Sequence, residues 1–180
     1  MFSANDGFPF IYKHNKAEKD GATSFIRHTY TFKSPKSNQT YIVEVDEFSD
    51  FLLYVVKFYL KNHRLSKNKF KLQTGLNEAS RGIGTCVNIM VELYQKNPFR
   101  SFAFIGAASE SENKNNTKRF RLYKKVMEAV FTPTTFDHFQ HPKSSAYMML
   151  NRAYSQNHLD LRNQIEDFFL KNYDLILEDQ

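Results

Sequence analysis

The chain has no tryptophan, a single cysteine and no long apolar run, and each shortage removes a class of protein. Cys86 alone forms no intrachain disulfide and builds no multi-cysteine zinc site, so a reducing cytoplasm is the expected setting. A bilayer-crossing helix takes about 18–20 consecutive apolar residues, and no stretch approaches that, so no membrane partner is expected. The opening residues, Met1 to Gly7, lack the positive and apolar regions of a secretory signal. Internal repeats, low-complexity tracts and a clear domain linker are missing too. So are the glycine spacings of dinucleotide and P-loop sites, and the Ser-His-Asp and paired-carboxylate patterns of hydrolases. No cofactor is therefore expected.

What remains is an ordinary globular composition over 180 residues, with 41% apolar and 24% charged positions, which fits one domain. Its 18 Phe and 10 Tyr are mostly core material, because each ring carries a large apolar surface. A formal charge of +6 tilts the partners modestly toward anions.

Residues 1–21 are polar and without lasting period, and read as a flexible leader with at most one short strand at Phe8–Tyr12. The single domain is expected over 22–180. Thr23–Lys33 and Thr40–Val45 alternate as strands around the turn Ser34–Asn38, which makes a hairpin. Phe51–Leu60, apolar but for Lys57, could be a buried helix or a buried strand; its β-branched and aromatic content favours a strand, with Phe70–Thr74 as antiparallel partner. Between them, Lys61, Arg64, Lys67 and Lys69 make a basic, mobile connection. Ile83, Val87, Met90 and Tyr94 mark a helix over Ser80–Lys96, stopped by Asn97-Pro98. Its opening Ser80-Arg-Gly-Ile-Gly-Thr85 reads as structural rather than phosphate-cradling, and Cys86 as an inert buried thiol. Thr135–Gln140 and Ser144–Asn151 are further strands, and a last helix starts near His158 with the stripe Leu161, Ile165, Phe168 and Phe169. The sum is an α+β fold, a largely antiparallel sheet with about three main helices packed on it.

The functional question centres on Ser101–Phe131. An apolar strand, Phe102–Gly106, leads through the polar loop Ala107–Asn116, expected to be exposed and mobile, into a helix with the stripe Phe120, Tyr123, Met127 and Val130. Asn116 or Thr117 serves as N-cap. Lys118, Arg119 and Arg121 then sit beside the positive end of the helix dipole, where cations are disfavoured by about 0.3–1 kcal/mol each. A bound phosphate offsets that, and so would Glu110 and Glu112 in the loop. The anion-binding candidates are accordingly Thr117, Lys118, Arg119 and Arg121, with Lys124 and Lys125 in support. His138 and His141 lack a third ligand at metal spacing, so no metal is expected; with Tyr123 they are weak catalytic candidates.

The order Phe70–Gly75, Thr85-Cys86, Asn97-Pro98, Phe102–Ala107, Thr117–Tyr123 and Ser145–Asn151 resembles an uncharacterised family of small bacterial proteins. Those carry a strand ending in Gly, a variable loop and a Thr-Lys/Arg-Arg-Phe/Leu-Arg-x-Tyr-like helix start, matched here by Gly106 and Thr117 to Tyr123. The resemblance covers roughly Phe51 to Asn151, implies a bacterial or phage-like setting, and draws attention to Arg119, Arg121 and Tyr123.

Three functions fit. The leading one is a phosphate- or nucleic-acid-binding module. A small metal-independent ribonuclease-like toxin is the second, with His138 or His141, Tyr123 and an arginine as its parts. The third is a protein-interaction module. The expected partner is a nucleic acid or phosphorylated ligand, and a homo-oligomer stays open.

Overall fold

A computed structural model describes residues 7–70, 78–105 and 115–173. The strands are β1 (Phe10–Asp20), β2 (Thr23–Lys33), β3 (Thr40–Phe48), β4 (Leu53–Leu60), β5 (Ser101–Ile105), β6 (Phe136–His141) and β7 (Ala146–Asn151). The helices are α1 (Ala79–Lys96), α2 (Lys118–Val130), the single turn α3 (Arg152–Ser155) and α4 (Leu161–Tyr173). All seven strands form one sheet in the order β1-β2-β3-β4-β5-β7-β6. Every neighbouring pair is antiparallel except β4 with β5. The expected α+β class and largely antiparallel sheet are what the chain adopts.

Alternation along the strands divides the side chains between two faces. On the first face, Val43, Val45, Val56, Phe102, Phe104, Tyr147 and Met149 meet Ile83, Val87 and Met90 of α1 and Phe120, Tyr123 and Met127 of α2. On the second, Leu53, Val55, Ala103, Met148 and Leu150 meet Leu161, Ile165 and Phe169 of α4. Two helices on one side and one on the other thus bury both faces of the central strands.

Phe48 of β3 and Phe25 of β2 join the cluster beneath α4, and farther along these two strands charge fills the second face. Asp46, 1% exposed, accepts from Arg27 Nε at 2.7 Å and Lys57 Nζ at 2.5 Å. Glu44 accepts from Lys69 Nζ at 3.0 Å and the Tyr59 hydroxyl at 2.9 Å. Lys69, read as part of a mobile basic connection, is therefore held, and its ammonium also lies 4.2 Å from the Tyr59 ring.

Three expectations need correcting. Residues 10–20, within the supposed leader, pair with β2 along their length and turn through Gly21 at φ 57°. An edge ribbon exposed on both faces is held by its backbone ladder and needs no apolar alternation, which is why its sequence looked structureless. The partners of β4 are β3 and β5, not Phe70–Thr74. Phe70 lies in a turn, and 71–74 fall outside the described residues. The turn α3, capped by the Asn151 side chain on Ala153 N at 3.0 Å, was not anticipated. Of the loop Ala107–Asn116, only 115–116 are described, and both are exposed; the expectation for 107–114 falls outside the described residues.

Burial alone would raise the Asp46 carboxyl, but the Arg27 hydrogen bond and the Lys57 charge outweigh it and hold it below its usual value. A depressed carboxyl contributes stability above its unfolded pKa, and that contribution is lost as pH falls through the folded one. Asp46→Asn should cost roughly 3 kcal/mol at neutral pH, because it strands two half-buried cations. It should also flatten the loss of stability below about pH 4. Urea unfolding of both proteins across that range checks the pair of effects.

Candidate phosphate-binding site

The parallel pair is short. β5 pairs with β4 only from Leu53↔Ser101 to Val56↔Phe104, whereas β3 stays paired with β4 as far as Leu60. Among the described residues, Lys57–Leu60 run on beyond the last β5 partner, and the two strands part in a fork. Each arm is followed in sequence by a helix packed on the first face, α1 after β4 and α2 after β5.

Phe58, two residues past the parting point, ties the two helix starts together. A methyl group added at Gly82 in the first turns of α1 would stand 3.3 Å from the Phe58 ring and 3.6 Å from Phe32. Glycine there lets the helix lie close against β4. From α2, the Arg119 guanidinium reaches within 5.8 Å of the same ring, and its Nη1 donates to the Phe70 carbonyl. At the parting point itself, the Tyr123 ring stacks on Phe104 at 3.9 Å. Burial raises the Tyr123 phenol well above its ordinary value, with Cys86 adding to this and the Arg119 charge opposing it.

The helix ends differ in how they are finished. Thr117 is the N-cap of α2: its hydroxyl accepts from Phe120 N at 3.1 Å, and its own N–H donates to Ser145 Oγ at 3.0 Å. Arg121 Nη1 donates to the Asn116 carbonyl at 2.5 Å. Main-chain carbonyls thus take one donor from each arginine, a use the sequence did not suggest; Glu110 and Glu112 fall outside the described residues. α1 has no side-chain cap and no acidic residue in its first turn. Glu78, which precedes it, turns away to accept from Ser34, from Ser37 Oγ at 2.9 Å and from Tyr41. Among the described residues, that leaves the first-turn N–H groups of α1 unfilled by any carboxylate, with Ser80 and Arg81 exposed beside them.

The histidines do not join this group. His138 Nε2 lies 2.9 Å from the Phe131 carbonyl, which only accepts, so in the neutral ring that nitrogen carries the proton. Nδ1 then accepts from the Tyr147 hydroxyl at 2.7 Å. His141, three residues on, points to the other face and sits 3.4 Å from Glu166 Oε1. Among the described residues no three His, Cys, Asp or Glu side chains gather as a metal set. Cys86 is fully buried, and burial pushes its thiol up, as expected of an inert cysteine.

The sequence candidates Thr117, Lys118, Arg119, Arg121 and Tyr123 lie on α2 or at its N-cap. Sequence reasoning did not single out the opposite wall, Phe58, Ser80 and Gly82. The signal for that wall was an apolar strand followed by a helix that opens with two glycines. Searches against protein-family models, curated proteins and solved structures return no match. No helix among the described residues is long and apolar enough to cross a membrane.

The N-cap bond gives a simple check on the α2 wall. Thr117→Ala should destabilise the protein by about 1 kcal/mol. Thr117→Ser should recover most of that loss in thermal unfolding.

Proposed function

We propose that the chain binds a phosphate-bearing ligand in the fork between β4 and β5. The observation that carries this is the parting of the lone parallel pair at Val56 and Phe104, with the first turns of two helices meeting on Phe58 just beyond it. Ligands of open sheets bind outside the carboxyl ends of strands at such a point, and helix N-termini favour phosphate. Lys118, Arg119 and Arg121 add positive charge there, and no acidic residue stands in either first turn.

The fork also suggests what else the ligand carries. A strand edge that has lost its neighbour binds an extended partner through main-chain hydrogen bonds, which calls for amide groups. A diphosphate joined to an amide-rich arm, the coenzyme A type of acyl carrier, uses both features. A nucleic acid would use only the basic helix ends. The ribonuclease reading has less support, since His138 and His141 face opposite sides of the sheet. A cytoplasmic, bacterial setting is part of the proposal.

Calorimetry with coenzyme A, ATP and a single-stranded oligonucleotide tests this reading. Coenzyme A should bind more tightly than ATP, with an affinity that falls as salt rises. R119A/R121A should weaken it about tenfold or more, the order expected for lost hydrogen bonds to a charged group. Equal affinities for the folded double variant and the wild type would rule the site out, and tighter binding of the oligonucleotide would return the protein to the nucleic-acid binders.

A further inference from the structure

The two edges of the sheet are finished differently. The β1 edge is interrupted by a bulge between Tyr12 and His14, one of the devices that keep an edge strand from pairing further. β6, at the other edge, pairs with β7 without a shift of register from Phe136 to His141, and no strand covers its outer side among the described residues. Asn151 N donates to Ser101 Oγ and so faces β5, whereas Arg152 N donates to the Thr135 carbonyl on the β6 side. Alternation in an antiparallel pair then turns the N–H and C=O groups of Asp137, Phe139 and His141 toward β7, and those of Phe136, His138 and Gln140 outward. The Phe136 N–H is taken by the Thr132 carbonyl at 3.1 Å, and Pro142 has no N–H to offer. The open window is therefore Asp137–His141, centred on Phe139.

We propose that a second copy of the chain pairs antiparallel with this window, about a two-fold axis at Phe139, and joins the two sheets into one. In that register His138 and Gln140 exchange both main-chain bonds with the second copy's Gln140 and His138. The Phe139 side chains meet at the axis as a non-hydrogen-bonded pair, the closer kind, where aromatic neighbours are favourable. Phe139 is half-buried against the cluster under α4, with the Arg162 guanidinium 4.3 Å from its ring, and the second copy's ring completes its cover. Asp137 comes opposite the second copy's His141, so no like charges face each other, and β6 carries no lysine or proline that would oppose pairing. On the first face, Glu128, Pro133, Phe136, Asp137 and His138 line a groove of about 330 Å³ beside this edge. The second copy's Gln140, opposite His138, falls over that groove.

The test uses the full chain. Sedimentation should show a dimer whose share grows with concentration. Gln140→Pro removes an outward N–H at an edge position that tolerates proline, so this variant should stay folded and remain monomeric over the same range. Cross-linking reads the register. Phe139→Cys should give a disulfide-linked dimer under mild oxidation, because the two α-carbons stand about 4.5 Å apart. Asp137→Cys, opposite the second copy's His141, should cross-link at least about tenfold more slowly. Cys86 is fully buried and adds no background. R119A/R121A should dimerise like wild type, which separates this edge from the fork. A wild-type monomer at every concentration would overturn the proposal. So would a dimer that survives Gln140→Pro, or equal cross-linking at the two positions.

Discussion

Placing β5 parallel to β4 constrains nearly everything else in this protein. Antiparallel neighbours can be joined by a tight turn, as β1 and β2 are through Gly21, but a parallel neighbour requires the chain to cross back over the sheet. That return includes the 18 residues of α1, and the helix must lie on the first face to reach the start of β5. Its apolar stripe is buried as a result, and so is the face of β3 and β4 beneath it. The next crossing, through α2, brings a second helix onto the same face. The fork follows from the same constraint: β3 holds β4 straight to Leu60, while β5 ends its pairing at Phe104.

The second face is finished by other means. α4 covers β4, β5 and β7 with Leu161, Ile165 and Phe169, and the remaining area is closed by ion pairs. Asp46 lies between Arg27 and Lys57, and Glu44 between Lys69 and Tyr59, so each buried carboxylate is matched by donors on neighbouring strands or the connection after β4. Such pairs add little net stability when compared with apolar packing, and much is lost when one partner is removed. They also mark the register of β2, β3 and β4, since a slip by one residue would turn Asp46 into the apolar face.

Much of the fold was legible because the periodicities are clean. β4 shows how far composition can carry: Phe51–Leu60 has no alternation, but its β-branched and aromatic residues identified a strand buried on both faces. What composition could not supply was the partner. Pairing of β4 with β5 joins residues as far apart in the chain as Leu53 and Ser101, and nothing local at Phe102–Ile105 distinguishes a parallel neighbour from an antiparallel one. β1 was hidden for the opposite reason, since a solvated edge ribbon obeys no hydrophobic pattern. For the site, the basic start of α2 was visible as charge in an adverse place. Its carbonyl partners, Phe70 and Asn116, were not, because main-chain acceptors leave no trace in side-chain composition. The wall formed by Phe58 and Gly82 appears only when the two helix starts are brought together.

The central claim is that a ligand completes the edge of β4 past Val56, which no strand covers among the described residues. Hydrogen exchange of the backbone amides, followed with and without coenzyme A, measures that edge directly. Added coenzyme should slow exchange within Lys57–Leu60 and in the first turn of α1, with the β1 ribbon unchanged. Protection confined to other segments, or none at a coenzyme concentration that saturates binding, would contradict the account.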